Sequence, residues 1–264
     1  MNTYTTTNYV HYYEINSQRQ ASPVTVLNYF EETAVRQSEA CGYGIGRLMD
    51  KGLIWILTNW SVRMNRYPVW MENVLVETRV LKFERFYAFR EFTISNENNS
   101  TLGSAVSRWI LYDIHRNRPV RVPSEIAEAF KVNCGKDNQG NSIILPEVEV
   151  AETYEPGLEF RVRLSDIDTY NHVNNTRYVE WMLEAVPFEI HQEFYPASLE
   201  ISYRKETVYG AYVLSEARQE PEVSGTIKIY HRIRDKAAGA ELARAVTVWK
   251  KVQHPPGVQP LQQN

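Results

Sequence analysis

The sequence predicts an α+β protein that contains two copies of one unit, each with a long helix packed on an antiparallel sheet. Three observations support this fold class. A single long amphipathic helix is followed by several short segments in which apolar residues alternate. After a polar connector, the same order of elements begins again. Short stretches of similar sequence also recur in the same order in both halves.

The first half is organised around a helix predicted over 23–40. Ser22 and Pro23 have the residue types that favour a helix N-cap and a first helical residue, and apolar residues then recur at helical spacing. Gly42 is a typical residue at the end of a helix. The other predicted elements of this half are strands at 9–14, 53–65, 73–95 and 101–114 and short helices at 47–51 and 124–130.

The second half repeats this order after a polar, turn-rich connector. A helix is predicted over 174–185, with Tyr178, Trp181 and Met182 on one face. Strands are predicted at 158–164, 198–207, 211–219, 224–234 and 240–252. The predicted organisation is a first unit at 1–131, a linker at 132–150, a second unit at 151–253 and a disordered, Pro/Gln-rich tail at 254–264.

The repeat is visible in three pairs of matching segments. Residues 29–31 match 178–180 at an offset of 149, 74–77 match 213–216 at 139, and 105–109 match 245–249 at 140. Two such units can pair edge to edge, which removes two exposed sheet edges. We therefore expect the tandem, or double, hot-dog fold, in which two helix-wrapped antiparallel sheets join into one continuous sheet.

Composition excludes several classes of protein. The net charge is −3, from 29 basic and 32 acidic residues, so no general basic field is present for nucleic acid. No apolar run is long enough to span a bilayer, and the N-terminus lacks the pattern of a signal peptide. Two cysteines are too few for a disulfide framework or a zinc cluster. We expect a cytoplasmic protein without a metal or other cofactor.

The segment D-I-D-T-Y-N-H-V-N-N at 166–175 is the densest group of polar residues that can support chemistry. It precedes the predicted second helix, whose first N–H groups can polarise a carbonyl oxygen or hold an anion. Asp168 and His172 could orient or deprotonate a water molecule. The alternative is that these residues only form turns and a helix cap, where the same residue types collect for structural reasons.

The segment at 166–185 resembles the active-site segment of the acyl-acyl-carrier-protein (acyl-ACP) thioesterases, which end fatty acid synthesis in plants and many bacteria. Four further segments resemble that family in the same order: G-L-I-W-I-L-T at 52–58, R-Y-P-V-W at 66–70, R-P-V-R-V-P at 118–123 and L-E-I-S-Y-R-K-E at 199–206. The resemblance spans about 15–250. It implies the double hot-dog fold and hydrolysis of a fatty acyl thioester.

The resemblance also implies residue roles. Asp168, His172 and Glu206 match the family's catalytic aspartate, histidine and glutamate, which act on the thioester through activated water or through a covalent acyl-carboxylate. Helix-start amides and an Asn would stabilise the oxyanion. Plant members have Asn where this chain has Tyr170, and Asn171 is the candidate substitute. They have Cys where this chain has Thr207, which excludes a Cys-His nucleophile there.

The resemblance places the acyl chain in the first unit and the catalytic groups in the second. Met49, Ile54 and Trp55 are the candidate residues for the acyl pocket, and Asn174 and Asn175 are the candidates next to the catalytic groups. The alternative for the first three residues is that they belong to an ordinary packed core. The sequence leaves the preferred chain length and saturation undecided.

Acyl carrier protein is the partner that the resemblance implies. Because that protein is acidic, its docking surface should be basic. The candidates are two clusters, Arg116, Arg118 and Arg121 in one and Arg204 and Lys205 in the other. Two other functions stay open: an acyl-coenzyme A thioesterase of the same fold, and a non-catalytic acyl-binding or regulatory protein, which Tyr170 leaves possible. Monomer and homodimer are both compatible with the sequence.

Overall fold

Two long helices and one large sheet make up most of residues 3–132 and 145–252, which are the part of the chain that this computed structural model describes. The helices are α1 (Pro23–Ala40), α2 (Ile45–Asp50), α3 (Ser124–Ala129), α4 (Asn175–Glu184) and α5 (Phe188–Glu193). The strands of the first half are β1 (Tyr4–Tyr9), β2 (Leu53–Met64), β3 (Asn73–Glu84), β4 (Tyr87–Asn96), β5 (Thr101–Asp113) and β6 (Arg118–Pro119). Those of the second half are β7 (Leu158–Arg161), β8 (Phe194–Tyr203), β9 (Tyr212–Gln219), β10 (Thr226–Asp235) and β11 (Glu241–Lys251).

The strands form one antiparallel sheet in the order β1-β3-β4-β5-β2-β8-β11-β10-β9-β7, and β6 pairs with β5. The two halves join where β2 pairs with β8, from Asn59 opposite Ser202 to Arg63 opposite Ser198. Counted outward from that junction, both halves have the same strand order. This arrangement confirms the predicted tandem hot-dog fold with a continuous sheet.

The core lies between the sheet and the two long helices. Phe30 of α1 is fully buried and packs on Phe92 and Trp60, with ring centroids 5.1 Å and 6.0 Å away. Ser22 begins α1, because its Oγ accepts the Thr25 N–H at 3.1 Å. Truncation of a buried aromatic residue such as Phe30 to Ala costs about 3–5 kcal/mol of stability, so this contact fixes α1 against the sheet.

The two helices correspond at a different register from the one that the sequence suggests. Ser22 and Asn174 are the caps of α1 and α4, which gives an offset of 152 rather than 149. The buried residues 26, 27, 29 and 30 then correspond to the buried residues 178, 179, 181 and 182. The predicted match of 29–31 with 178–180 is therefore wrong by three residues, which is almost one helical turn. An amphipathic pattern looks nearly the same after such a shift, so the sequence pattern does not distinguish the two registers. The two strand matches do fall on corresponding strands, β3 with β9 and β5 with β11.

Several predicted bounds are wrong. The first strand ends at Tyr9 instead of beginning there, and 12–14 form a 3-10 turn. The segment 73–95 is a hairpin that turns at Arg85, a non-glycine residue with φ 53°, so no Gly or Pro marks the turn. The strand expected at 198–207 is β8, which begins earlier and ends at Tyr203. Glu206 consequently lies in a loop, and helix α5 was not predicted.

Two parts of the predicted organisation fall on residues outside the described ranges. They are positions 133–144 of the linker and the whole tail at 254–264. The described end of the linker, 145–150, has no regular structure, and its Val148 packs against Tyr230 and Val246. None of the helices within the described ranges is long and apolar enough to cross a membrane.

Candidate active site

The loop that precedes α4 carries Asp168 and His172 and is held by its own backbone. The Asp168 N–H donates to the His172 carbonyl at 2.9 Å, and Asn171 has a left-handed conformation with φ 63°. The Asp168 side chain completes the loop, because its Oδ1 accepts the backbone N–H groups of Tyr170 at 2.8 Å and of His172 at 3.3 Å. These local bonds set both side chains at the start of the helix.

Glu206 comes to this loop from the end of β8. The Val173 N–H donates to the Thr207 carbonyl at 3.2 Å and so connects the two segments. His172 Nδ1 lies 3.2 Å from Glu206 Oε2. A carboxylate at that distance favours a proton on Nδ1, which leaves Nε2 as the nitrogen that can accept a proton. The exposed fractions of the side chains, 37% for His172 and 48% for Glu206, keep both accessible to a ligand.

A cavity of about 890 Å³ lies where the two units meet. Asp168, His172 and Glu206 form part of its wall. The walls that come from the first unit are largely apolar and include Leu48, Ile54, Trp55, Leu57, Phe83, Trp109 and Phe130. Trp55 stacks on Phe83 with ring centroids 6.2 Å apart. A cavity of this size, with a largely apolar wall from one unit and a polar wall from the other, suits a ligand that has a polar reactive head and a hydrocarbon tail.

Most of the predicted catalytic and substrate-binding residues line this cavity, but Met49 and Asn171 do not. Met49 is 42% exposed on α2, whereas the preceding residue, Leu48, is buried and faces the cavity. Neighbouring residues of a helix point in different directions, so only one of the two can line the wall. Asn171 is exposed at the left-handed position of the loop. Its geometry explains a role in the turn and does not support the predicted role as a substitute for the plant Asn.

Asn174 and Asn175 line the cavity at the first turn of α4. Asn174 is the helix cap, because its Oδ1 accepts the Thr176 N–H at 2.9 Å and the Thr176 hydroxyl at 2.7 Å. The carbonyl of Asn175 accepts the Tyr203 hydroxyl at 3.1 Å. The start of α4 is thus fixed from both sides beside the catalytic candidates. The N–H groups of Asn174 and Thr176 are already bonded, to the Asp166 carbonyl and to the Asn174 side chain.

Sequence reasoning missed several polar residues of the cavity wall, among them Glu31, Tyr170, Tyr178 and Tyr203. Burial raises the pKa of Tyr178 and of Tyr203, so both phenols stay protonated at neutral pH. Burial, with a contribution from the negative charge of Asp168, raises the pKa of Glu31 to about 7. A signal for Glu31 was present, because this carboxylate follows Leu27 and precedes Ala34 on the apolar face of an amphipathic helix.

The first unit contains a structural copy of the loop that carries Asp168 and His172. Asn16 Oδ1 accepts the N–H groups of Gln18 at 3.0 Å and of Gln20 at 3.1 Å, as Asp168 Oδ1 does in the second unit. The offset of 152 residues makes Asn16 the counterpart of Asp168 and Gln20 the counterpart of His172. The copy therefore keeps the loop geometry and lacks both the carboxylate and the imidazole.

The cavity that would accompany this copy is filled. Tyr67 occupies the position in the first unit that Glu206 has in the second. The two residues before Tyr67 donate their N–H groups to the Leu102 carbonyl, and the two residues before Glu206 donate theirs to the Leu242 carbonyl. Tyr67 is buried, and its hydroxyl donates to the Pro196 carbonyl at 2.9 Å. Only a void of about 10 Å³ remains beside it, lined in part by Leu183. The duplication thus explains the architecture, and side-chain size explains why the two halves differ.

Basic residues surround part of the large cavity. Arg204 and Lys205 line it, and Arg116 and Arg118 flank Asn117, which also lines it. Arg204 is paired with Glu241 at 3.0 Å, and Arg116 lies 3.7 Å from Asp113. Arg121 is exposed a few residues further along the same segment. Both predicted basic clusters therefore contact or adjoin the cavity wall. Within 3–132 and 145–252, no three His, Cys, Asp or Glu side chains converge in a group that could hold a metal ion.

Comparison with known proteins identifies two family models. Residues 1–130 match the acyl-ACP thioesterase N-terminal domain, and residues 151–251 match the acyl-ACP thioesterase C-terminal domain. Among curated relatives, the chain is 30% identical over 258 residues to a palmitoyl-acyl carrier protein thioesterase of Gossypium hirsutum and 29% identical over 250 residues to one of Cuphea hookeriana. These alignments cover 90% of this chain but only 61% and 60% of those relatives.

Solved structures show the same fold. The putative oleoyl thioesterase of Lactobacillus plantarum superposes with a TM-score of 0.87 at 22% identity, over 96% of this chain and 98% of that one. The 12:0-ACP thioesterase of Umbellularia californica superposes with a TM-score of 0.78 at 24% identity, over 95% of this chain and 94% of that one. At these identities the superpositions establish the fold.

Proposed function

We propose that this chain, which belongs to the acyl-ACP thioesterase family, hydrolyses the thioester of a fatty acyl-acyl carrier protein to a free fatty acid and the holo carrier protein. The observation that carries the proposal is the cavity of about 890 Å³, in which apolar walls of the first unit meet Asp168, His172 and Glu206 of the second. A fatty acyl thioester has the same division into a hydrocarbon tail and a reactive carbonyl.

In the proposed reaction, His172 is the general base. Glu206, at 3.2 Å, holds the proton on Nδ1 and orients the ring, so that Nε2 can remove a proton from water. The water oxygen adds to the thioester carbonyl carbon. The carbon–sulfur bond then breaks, and the departing thiolate takes up the proton that His172 removed. The products are the carboxylic acid and the thiol of the phosphopantetheine arm.

Asp168 is proposed to orient the attacking water. Its Oδ1 is engaged by two backbone N–H groups, which fixes the carboxylate and leaves Oδ2 as the oxygen without a backbone bond in the described residues. The alternative chemistry is direct attack by a carboxylate to form a mixed anhydride. Both routes need a preorganised carboxylate in the cavity wall, and isotope labelling tests for the mixed anhydride.

The N-terminus of α4 is proposed to stabilise the oxyanion of the tetrahedral intermediate. The cap Asn174 and the first helical residue Asn175 line the cavity next to His172, and Asn175 is the candidate donor because the N–H groups of Asn174 and Thr176 are bonded within the protein. Backbone N–H groups of a helix N-terminus are fixed dipoles, and they need no reorganisation when negative charge develops on the carbonyl oxygen. The Asn174 cap and the Tyr203 hydroxyl bond hold this turn in place.

The partner in this proposal is acyl carrier protein, and its docking surface is the basic rim formed by Arg116, Arg118, Arg121, Arg204 and Lys205. Support comes from position, since Arg204 and Lys205 line the cavity that the phosphopantetheine arm must enter. Charge complementarity at such a rim speeds association and selects the acidic partner. A cytoplasmic location, and a monomeric or homodimeric state, stay predictions of the sequence.

The test is thiol release from acyl-ACP thioesters of increasing chain length, with acyl-coenzyme A thioesters of the same chains as controls. We expect faster hydrolysis of the carrier-protein substrates and a maximum at one chain length. A preference for coenzyme A substrates would replace this proposal by the acyl-coenzyme A thioesterase. Tight binding without hydrolysis of either would support the acyl-binding protein.

A single turnover in ¹⁸O-labelled water tests for a mixed anhydride that is hydrolysed on the enzyme side. Attack by activated water places one labelled oxygen in the fatty acid and none in the protein, as does an anhydride hydrolysed at the acyl carbonyl. A mixed anhydride hydrolysed at the enzyme carbonyl would instead place the label in a carboxylate of Asp168 or Glu206. Mass spectrometry of the product and of the peptides that contain these residues reads the outcome.

A further inference from the structure

The wall of the large cavity contains one carboxyl group that the proposed reaction does not use. Glu31 lies on the face of α1 that lines the cavity, and Ala34, Val35 and Ser38 continue that face. These positions are spaced three, four and seven residues from Glu31, so they form one stripe along the helix. The carboxyl group therefore stands at one end of a stripe that otherwise faces the hydrocarbon part of the cavity.

Glu31 is incompletely bonded for a buried carboxyl group. The Trp60 indole N–H lies close enough to lower the pKa of Glu31, but neither Glu31 Oε1 nor Trp60 Nε1, both inaccessible to solvent, has a hydrogen bond of normal geometry within the described residues. Buried polar atoms are normally paired, and an unpaired one costs about 1–3 kcal/mol. Burial raises the pKa of Glu31 to about 7. The protonated form, well populated near neutral pH, can donate one hydrogen bond and accept others.

The fold itself does not require a carboxyl group here. The offset of 152 makes Leu183 the counterpart of Glu31 on α4. Leu183 lines the small void of about 10 Å³ beside Tyr67, whereas Glu31 lines the large cavity. The fold therefore accepts an apolar residue at this helix position in the unit whose void is too small for a ligand.

The position of Glu31 in the cavity wall indicates which carbons of the acyl chain lie near it. Glu31 and Asp168 line the same cavity, and the negative charge of Asp168 helps to raise the pKa of Glu31. Asp168 belongs to the end where the thioester carbonyl reacts, and α1 belongs to the unit that surrounds the hydrocarbon. Glu31 consequently borders the first carbons after the carbonyl.

We propose, on the basis of the function proposed above, that Glu31 is a polar subsite for these carbons and that the preferred substrates are fatty acyl thioesters with a hydroxyl or oxo group at the β-carbon. Such a group gives the carboxyl a partner besides the Trp60 N–H. A saturated chain offers no such partner, and sites built to bond a substrate oxygen discriminate strongly against analogues without it.

The experiment compares saturated, 3-hydroxy and 3-oxo acyl-ACP thioesters of equal chain length. For the wild type, we expect kcat/KM to be about tenfold higher or more for the better of the two oxygenated substrates than for the saturated one. Glu31→Leu, which copies Leu183, should abolish this preference. Glu31→Gln keeps a donor and an acceptor and should retain part of it. Glu32→Gln, on the exposed side of the same helix, is the matched control and should leave it unchanged.

Two results would overturn the subsite: equal kcat/KM for all three substrates in the wild type, or a preference that persists in Glu31→Leu. Binding of hydrolysis-resistant acyl-pantetheine amides separates this proposal from the function. If no thioester is hydrolysed but the 3-hydroxy amide binds about tenfold more tightly than the saturated amide, and only in the presence of Glu31, the subsite stands and the thioesterase fails. Equal binding of the amides refutes the subsite whatever the turnover.

Discussion

Asp168 allows the roles of structure and chemistry to be separated, because the chain contains its own uncharged version of the same loop. Asn16 makes the same two backbone contacts in the first unit that Asp168 makes in the second. Asp168→Asn should therefore preserve the loop while it removes the charge. We expect the free energy of unfolding to change by less than about 1 kcal/mol.

The rate should respond very differently. If the carboxylate acts in the transition state, Asp168→Asn should lower kcat by about 10²-fold or more. Asp168→Ala should show a similar loss of rate but also lose about 1–2 kcal/mol of stability, because two N–H groups of a half-exposed loop lose their acceptor. Removal of the charge should also lower the pKa of Glu31, since Asp168 contributes to raising it.

The assay combines steady-state thiol release from acyl-ACP with urea unfolding of each variant. Asn16→Asp is the mirror control, and it should leave kcat unchanged because Tyr67 fills the cavity beside that loop. A folded Asp168→Asn variant with a rate close to that of the wild type would refute the catalytic role. Equal destabilisation by Asn and Ala at this position would refute the structural correspondence with Asn16.

Three further predictions follow from the structure. Burial lowers the pKa of His231 to about 4, so the unfolded chain takes up a proton that the folded chain excludes. This group removes about 3 kcal/mol of stability between pH 6.5 and pH 4, against the opposite contribution of Glu31, whose pKa is raised to about 7. The difference in the free energy of unfolding between the wild type and His231→Gln, from urea titrations at each pH, should therefore be constant above about pH 6.5 and shift by about 3 kcal/mol against the wild type towards pH 4. Trp55→Ala should enlarge the cavity and shift the fatty acid products to longer chains in chromatography, whereas Trp70→Ala, which changes an exposed residue outside the cavity, should not. Lys205→Glu should raise KM for acyl-ACP several-fold at low salt and leave acyl-pantetheine unaffected; if Lys250→Glu, away from the cavity wall, has the same effect, the basic rim is not the docking surface.

The regular elements were largely predictable because their signals are local. The apolar spacing of α1 and its Ser22-Pro23 start lie within one stretch of sequence, and the structure contains the helix over the predicted 23–40. The predicted strand bounds were wrong where a strand end depends on pairing with a distant strand or on an unusual turn residue. The turn at Arg85 uses a left-handed non-glycine residue, and β8 begins before the predicted strand because it pairs with β11 from Phe194 onward.

The residues of the candidate site were also predictable only where their signals are local. Asp168 and His172 were predictable because one loop carries both and its backbone bonds are internal. Glu206 came from a resemblance to a family rather than from spacing, since its approach to His172 depends on how β8 ends. Met49 was misplaced because periodicity alone does not decide which of two adjacent helix residues faces inward.

By itself, the sequence determined the two repeated units, the continuous antiparallel sheet, the loop with Asp168 and His172, and the family. Each of these depends on residues that are close along the chain or on a pattern that repeats. Only the tertiary structure decided that one cavity stays open while Tyr67 fills the other, and that Glu31 of the first unit lines the same cavity as Asp168 of the second. Both results depend on the packing of side chains that are far apart in sequence, and on the volume that remains between them once the two sheets have joined.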